Sequence, residues 1–162
     1  MYDFGRKELS MKELMTAELK RFNYLTNEID AAYHEAALHL GLSDSALMIL
    51  YTLCNYDGCC LLTTIHKLSG ISKQTINSSL RKLEADHILY LETFDGKKKK
   101  VYLTDKGQEL AKNTVARLIE IENDIFASWT KADQEIYLEL TQKYLEIFRD
   151  KIKELTKGDE RK

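Results

Sequence analysis

Four groups of side chains in this sequence are of types that do chemistry: Cys54, Cys59 and Cys60; His34, His39, His66 and His87; the lysine run Lys97–Lys100; and the polar stretch from Ser72 to Lys82. Thiols and imidazoles are the parts of metal sites and of Cys–His hydrolases. No HxxxH pair is present, and His34 and His39, five apart, point to different sides of a helix, so no metal is expected. Cys59 or Cys60 paired with His66 lacks a third orienting group and a glycine turn suited to an oxyanion, so neither an enzyme nor a cofactor is expected. Three cysteines cannot all pair within one chain. Asp3, Arg6, Lys7 and Glu8 have no apolar run behind them, which reads as no secretory signal and hence as reduced cytoplasmic thiols. A free cysteine is commonly a small buried apolar residue, and that structural role is the expected one here. A thiol-based, redox-responsive regulator is the alternative.

The other two groups suit a polyanion. Ile76, Leu80 and Leu83 recur at helical spacing and predict a helix with that stripe inward. Its other face then presents Lys73, Gln74, Thr75, Asn77, Ser78, Arg81 and Lys82, with Ser72 as the N-cap. Amides and hydroxyls interleaved with cations are what a major-groove reader needs. Carboxamides pair with base edges, hydroxyls with bases or phosphates, and cations with guanine or phosphate. The first N–H groups of the helix can receive a phosphate. A merely solvated helix carries more opposing charge pairs, whereas acids appear here only at Glu84 and Asp86. The net charge of −2 conceals the same segregation: residues 63–104 hold 8 basic and 4 acidic side chains, a balance of +4 between two acidic flanks.

The elements that must position these groups follow from periodicity. Proline is absent, although average usage of about 5% predicts roughly eight in such a length. The seven glycines fall where the hydrophobic pattern changes, which indicates a mainly helical chain of 162 residues with no need for disulfide or metal staples. A first helix is expected over 10–40, its stripe running Met11, Met15, Leu19, Phe22, Leu25, Ile29, Tyr33, Ala36, Leu40. At 1.5 Å per residue it would extend ~45 Å, longer than a small domain covers with its own core, which implies a partner surface. A second helix follows from Ser43 to about Asn55, then a short one over Leu61–Ser69 with Leu62, Ile65 and Leu68 on one face. After the helix capped by Ser72 the period changes to two. Leu89, Leu91, Val101 and Leu103 around Asp95-Gly96 predict a hairpin with Lys97–Lys100 at its tip and returning edge. One long helix from Thr104 or Asp105 to about Trp129 and a last one from about Ala132 close the chain. Two short helices, a tight glycine turn and a basic hairpin describe a winged helix-turn-helix. No apolar stretch is long enough to span a bilayer, so no membrane is expected.

The runs LTTIHKLSGISKQTINSSLRKLEADHIL (62–89) and FDGKKKKVYLTDKGQEL (94–110) resemble the MarR family of bacterial transcription regulators, most specifically in VYLTDKG (101–107) and the SKQT–LRKLE stretch (72–84). The order of the flanking helices fits as well. The resemblance implies a winged-helix homodimer whose first and last helices interleave across a two-fold axis. It also implies a recognition helix in the major groove and a wing in the adjacent minor groove. A small hydrophobic or phenolic effector between the first, second and fifth helices is implied too. The aromatic residues of the long helices, Tyr24, Tyr33, Trp129 and Tyr137 among them, read as packing residues first and as the lining of a ligand cavity second. Two positions depart from the family pattern. Lys97 stands in Asp95-Gly96-Lys97 where the wing usually carries Arg, and Ser78 stands where the recognition helix often has Arg.

The expected protein is therefore mainly α with a small β-hairpin wing, a single unit over 1–162. Residues 1–40 and 132–162 are its dimerisation helices, 43–104 its winged helix-turn-helix and 105–130 a connecting helix. Ser72, Lys73, Gln74, Thr75, Asn77, Ser78, Arg81, Lys82, Lys97, Lys98 and Lys99 are the expected contacts to a pseudo-palindromic double-stranded operator, and the function is that of a repressor. A helical interaction protein that does not bind DNA is the remaining alternative. Met11, Met15, Phe22, Tyr137, Leu140, Tyr144, Phe148 and Ile152 are the expected dimer contacts. Charged residues in place of Phe22 and Tyr144 should give monomer or aggregate, because so much exposed apolar area is a liability in a monomer. Sedimentation of the wild type as a stable monomer at micromolar concentration would overturn this.

Overall fold

Hydroxyls start most of the helices. Thr16, Ser43, Ser72 and Thr104 each sit in extended or near-extended backbone and accept a hydrogen bond from the N–H three residues on, which satisfies a donor the helix itself leaves open. Left-handed residues end several of them. Gly41, Asp57 and His87 have φ of 70°, 54° and 57°, and each closes the preceding helix by paired bonds back to its last turn. The computed structural model describes residues 15–159. The elements are α1 (Ala17–His39), α2 (Asp44–Asn55), β1 (Cys59–Leu61), α3 (Leu62–Leu68), α4 (Lys73–Ala85), β2 (Leu89–Phe94), β3 (Lys98–Leu103), α5 (Asp105–Asn113), α6 (Val115–Ala127) and α7 (Lys131–Asp159). The mainly helical, winged helix-turn-helix class read from the sequence is the class observed.

The chain divides into two compact units, one up to Ala116 and one from Arg117 onward. In the first, Ile49, Leu50, Leu53, Ile65, Ile76, Leu89, Val101 and Val115 form the fully buried core. Helix α4 packs on α2, and the antiparallel sheet in the order β1-β3-β2 closes over α3 and α4. In the second unit, Phe126, Trp129 and Tyr137 form an aromatic cluster with ring centroids 5.2–6.1 Å apart. Thr130 caps α7, accepting from the Asp133 N–H at 3.1 Å while its hydroxyl donates to the Asp133 carboxylate at 2.6 Å. No single helix among the described residues is long and apolar enough to cross a membrane.

Four boundaries differ from the sequence reading, each for a local reason. The first helix begins at Ala17 because the Thr16 hydroxyl caps it; Met11 lies outside the described residues. Cys59–Leu61 forms a third strand, pairing Cys60 with Val101, and three residues are too few to show a period of two. Leu68 is 48% exposed, whereas Ile65 on the same face is buried and Leu62 half-buried, because α3 ends there and Ser69 turns the chain. The expected long helix after the wing breaks at Thr114. Its hydroxyl donates to the Leu110 carbonyl at 2.6 Å, and its backbone leaves the helical region at φ −123°, ψ −88°.

One corner joins α4 to the sheet and α5. The Thr104 hydroxyl donates to the carbonyls of His87 and Ile88 at 2.7 and 3.1 Å, and the Lys106 ammonium donates to the Asp86 carbonyl at 2.8 Å. A Cβ on Gly107 would lie 1.9 Å from the Ile88 carbonyl oxygen, so only glycine lets α5 approach so closely. Gly107→Ala should therefore destabilise by about 1–3 kcal/mol through overpacking, more than the ~1 kcal/mol that alanine gains in a helix. Thermal denaturation checks this, and an unchanged or raised Tm would contradict it.

Candidate nucleic-acid interface

The face of α4 opposite its core stripe is continuous and exposed. Ile76, Leu80 and Leu83 are buried, while Ser72, Lys73, Gln74, Thr75, Asn77, Ser78, Arg81 and Lys82 are all exposed, and no carboxylate interrupts them. The Ser72 hydroxyl lies 3.1 Å from the Thr75 N–H it caps and 2.8 Å from the Thr75 hydroxyl. Gly70, with φ of 65°, makes the turn between α3 and α4. Two contacts hold the helix in its plane. The hydroxyls of Ser45 in α2 and Ser79 in α4 meet at 2.5 Å, and His66 Nε2 in α3 lies 3.2 Å from Asn77 Oδ1. Sequence reasoning passed over Ser79 and His66 as positioning groups. Nothing in the spacing of a serine on α2 or a histidine on α3 names its partner on α4.

The wing divides the lysine run. The turn Asp95-Gly96-Lys97 has φ of 47° at Asp95 and 71° at Gly96, and it leaves Lys97, Lys98 and Lys99 exposed. Strand pairing sets Lys98 opposite Phe94, Lys99 opposite Thr93 and Lys100 opposite Glu92. Lys98 and Lys100 thus share the outer face, where Tyr90 stacks on Tyr102 with centroids 5.1 Å apart. Lys100 Nζ lies 5.9 Å from the Phe94 ring centroid and 5.3 Å from that of Tyr102, so this cation is engaged with the hairpin itself. Lys98 also meets the Asp95 carboxylate, at 3.8 Å and in full view of solvent, a contact worth little. The structure thereby separates three exposed lysines at the tip from a fourth that braces the strands.

The remaining reactive groups lie elsewhere. His34 Nδ1 sits 2.9 Å from the Asp44 carboxylate, between α1 and α2. Among the described residues no group of three or more His, Cys, Asp or Glu side chains is placed to hold a metal. Cys60 is buried on the inner face of the sheet, and Cys54 and Cys59 are half-buried. Burial pushes the Cys54 thiol up. Burial, and then the neighbouring Cys59, push Cys60 to about 11 against the opposing pull of Lys100. Both effects favour the protonated, unreactive thiol. A cavity of about 500 Å³ lies beside Cys54, lined by Gly58, Leu103, Gln108, Ala111 and Lys112 among others.

This arrangement has close structural counterparts. A MarR-family transcriptional regulator from Silicibacter pomeroyi matches with a TM-score of 0.61 at 21% identity, over 76% of this chain and 86% of that one. Bordetella bronchiseptica BpsR, whose DNA binding is regulated by 6-hydroxynicotinic acid, matches with 0.58 at 20% identity, over 76% and 97%. The PcaV transcriptional regulator of Streptomyces coelicolor, in complex with its natural ligand, gives 0.56 at 17% identity, over 76% and 91%. The fold is that of the MarR regulators. No family model and no curated protein matches the chain by sequence. Within the MarR fold, α3 and α4 are the helix-turn-helix and β2–β3 the wing. Proteins with this likeness are transcriptional regulators rather than enzymes, and some are ligand-responsive.

The buried thiols of this MarR fold should be sluggish. With its pKa at about 11, Cys60 is thiolate to only about one part in ten thousand near pH 7. Cys54 and Cys60 should alkylate at least about tenfold more slowly in the folded protein than in denaturant, read by mass spectrometry. Equal rates would overturn their structural role.

Proposed function

We propose that this chain is a MarR-family transcriptional repressor. It binds a pseudo-palindromic duplex as a homodimer in the cytoplasm and is released by a small hydrophobic or phenolic effector. The observation that carries the reading is the outer face of α4: cations, amides and hydroxyls with no carboxylate, backed by a buried apolar stripe and set beside a hairpin tipped by three exposed lysines. Hydroxyls and amides at the start of the helix read bases, and Arg81 and Lys82 farther along suit phosphates. Lys97, Lys98 and Lys99 reach the neighbouring minor groove.

Dimerisation is supported by the apolar surface of the terminal helices. Met15 and Phe22 on α1 and Tyr137, Leu140, Tyr144, Phe148 and Ile152 on α7 are all exposed in the single chain. Residues 1–40 and 132–162 are the dimerisation helices in this reading, 43–104 the reader and 105–130 the connection. The effector is supported by the likeness to BpsR, whose DNA binding is regulated by 6-hydroxynicotinic acid, and to PcaV, described in complex with its natural ligand.

Selection of bound sequences from a random duplex pool tests the whole reading; no salt-sensitive duplex binding would leave a helical interaction protein. Lys97→Ala should lower the salt slope of binding by about one unit between about 50 and 200 mM. An unchanged slope would return the lysine run to a solvated turn. Lys97→Arg should tighten binding to narrow A·T-rich minor grooves.

Gln74→Ala should cost ~1–3 kcal/mol on the preferred operator and little on random duplex. Arg81→Ala should weaken all duplexes together. Equal losses on specific and random DNA for Gln74→Ala would remove α4 as the reader.

A further inference from the structure

We infer that His66 is a positioning residue that decides which base edges Asn77 can read; the inference rests on the proposed DNA-binding reading of α4. A free carboxamide offers an acceptor and a donor together, which suits adenine, whose major-groove edge presents the same pair. Asn77 is not free. Its Oδ1 lies 3.2 Å from His66 Nε2 on α3. An amide oxygen only accepts, so the imidazole donates from Nε2–H and is held in that tautomer. The carbonyl side of Asn77 is thereby turned towards α3, and the Nδ2 amine is left as the group offered from the exposed face of α4.

That nitrogen belongs to a carboxamide, whose delocalised lone pair does not accept, so it only donates. In the major groove it matches guanine, with acceptors at N7 and O6, or thymine, with an acceptor at O4. It meets cytosine's N4 amine as donor against donor, and at adenine it keeps one bond, to N7, while the N6 amine beside it finds no acceptor. His66 comes from the first helix of the motif, half-buried beside the fully buried Ile65. The histidine therefore shifts a residue type that ordinarily favours adenine towards guanine or thymine, by taking away the acceptor that adenine's N6 amine needs, without itself touching the base.

Two measurements test this. Operator selection should show guanine or thymine at the base pair that Asn77→Ala relaxes. His66→Ala should lose about three- to tenfold of the discrimination at that same base pair relative to the other positions of the operator. The His66→Ala/Asn77→Ala double variant should lose no more than Asn77→Ala alone. His66→Gln, which can donate from its own amide, should restore most of the preference. A purely structural histidine would weaken all positions together and would not be rescued by glutamine.

Independently of DNA, ¹⁵N spectra of the wild-type protein should report the Nε2–H tautomer of His66, lost on Asn77→Ala. The Nδ1–H tautomer, an adenine preference at the Asn77 base pair, or additive losses in the double variant would overturn the inference. Its failure is distinguishable from failure of the repressor reading. In the first case the wild type selects an operator that His66→Ala selects equally well; in the second the wild type selects none.

Discussion

The angle between α4 and the hairpin depends on three successive carbonyls, those of Asp86, His87 and Ile88, where the chain leaves the helix and enters β2. Each is met by the segment that follows the hairpin: Lys106 on Asp86, Thr104 on His87 and Ile88, and the bare Cα face of Gly107 against Ile88. All three carbonyls are met from that one segment, so this corner has few alternative geometries. The left-handed His87, at φ 57°, directs the chain out of the helix and into the strand. The stretch VYLTDKG is thus intelligible without reference to any relative. Its valine and leucine fill the core, its threonine and lysine satisfy the corner, and its glycine permits the contact.

With that corner set, the charge on the unit becomes directional. Eight basic and four acidic side chains over 63–104 would mean little if scattered. The fold gathers Lys73, Arg81 and Lys82 on one helix face and Lys97, Lys98 and Lys99 at one turn. It also withdraws Lys100 onto two aromatic rings. A cation over a ring face at 5–6 Å is held by the ring's own charge distribution, and here it ties β2 to β3 at the base of the tip. A strand pair with stacked tyrosines and a braced lysine presents its turn with less conformational freedom to lose on binding.

The terminal helices show the opposite economy. Along α1, Leu19, Phe22, Leu25, Ile29 and Tyr33 follow one stripe and none is buried; along α7 the same holds from Ile136 to Leu155. Burying one such side chain gains roughly 1.5–3 kcal/mol, so two stripes of this length are a large unused stabilisation in a single chain. Their spacing is that of a packed helix face rather than of scattered surface leucines. The homodimer of the proposed function accounts for this surface.

The fold class, the order of the helices and the exposed polar face of α4 were legible in the residues because each is a local, periodic property. The stripe Ile76, Leu80, Leu83 determines the inward side, and whatever lies between is outward. The hairpin was legible because Asp95-Gly96 interrupts a period of two. Strand β1, the break at Thr114 and the exposure of Leu68 were not, since they depend on a three-residue pairing, a single hydrogen bond and the place where a short helix stops, none of which leaves a periodic trace. The partners of His66, Ser79, Lys100 and Gly107 lie on other elements of the chain. Hydrophobic period determines which side of a helix faces in. Only tertiary packing decides which polar atoms meet across elements, because those meetings depend on distances of about 3 Å that no spacing along the chain encodes.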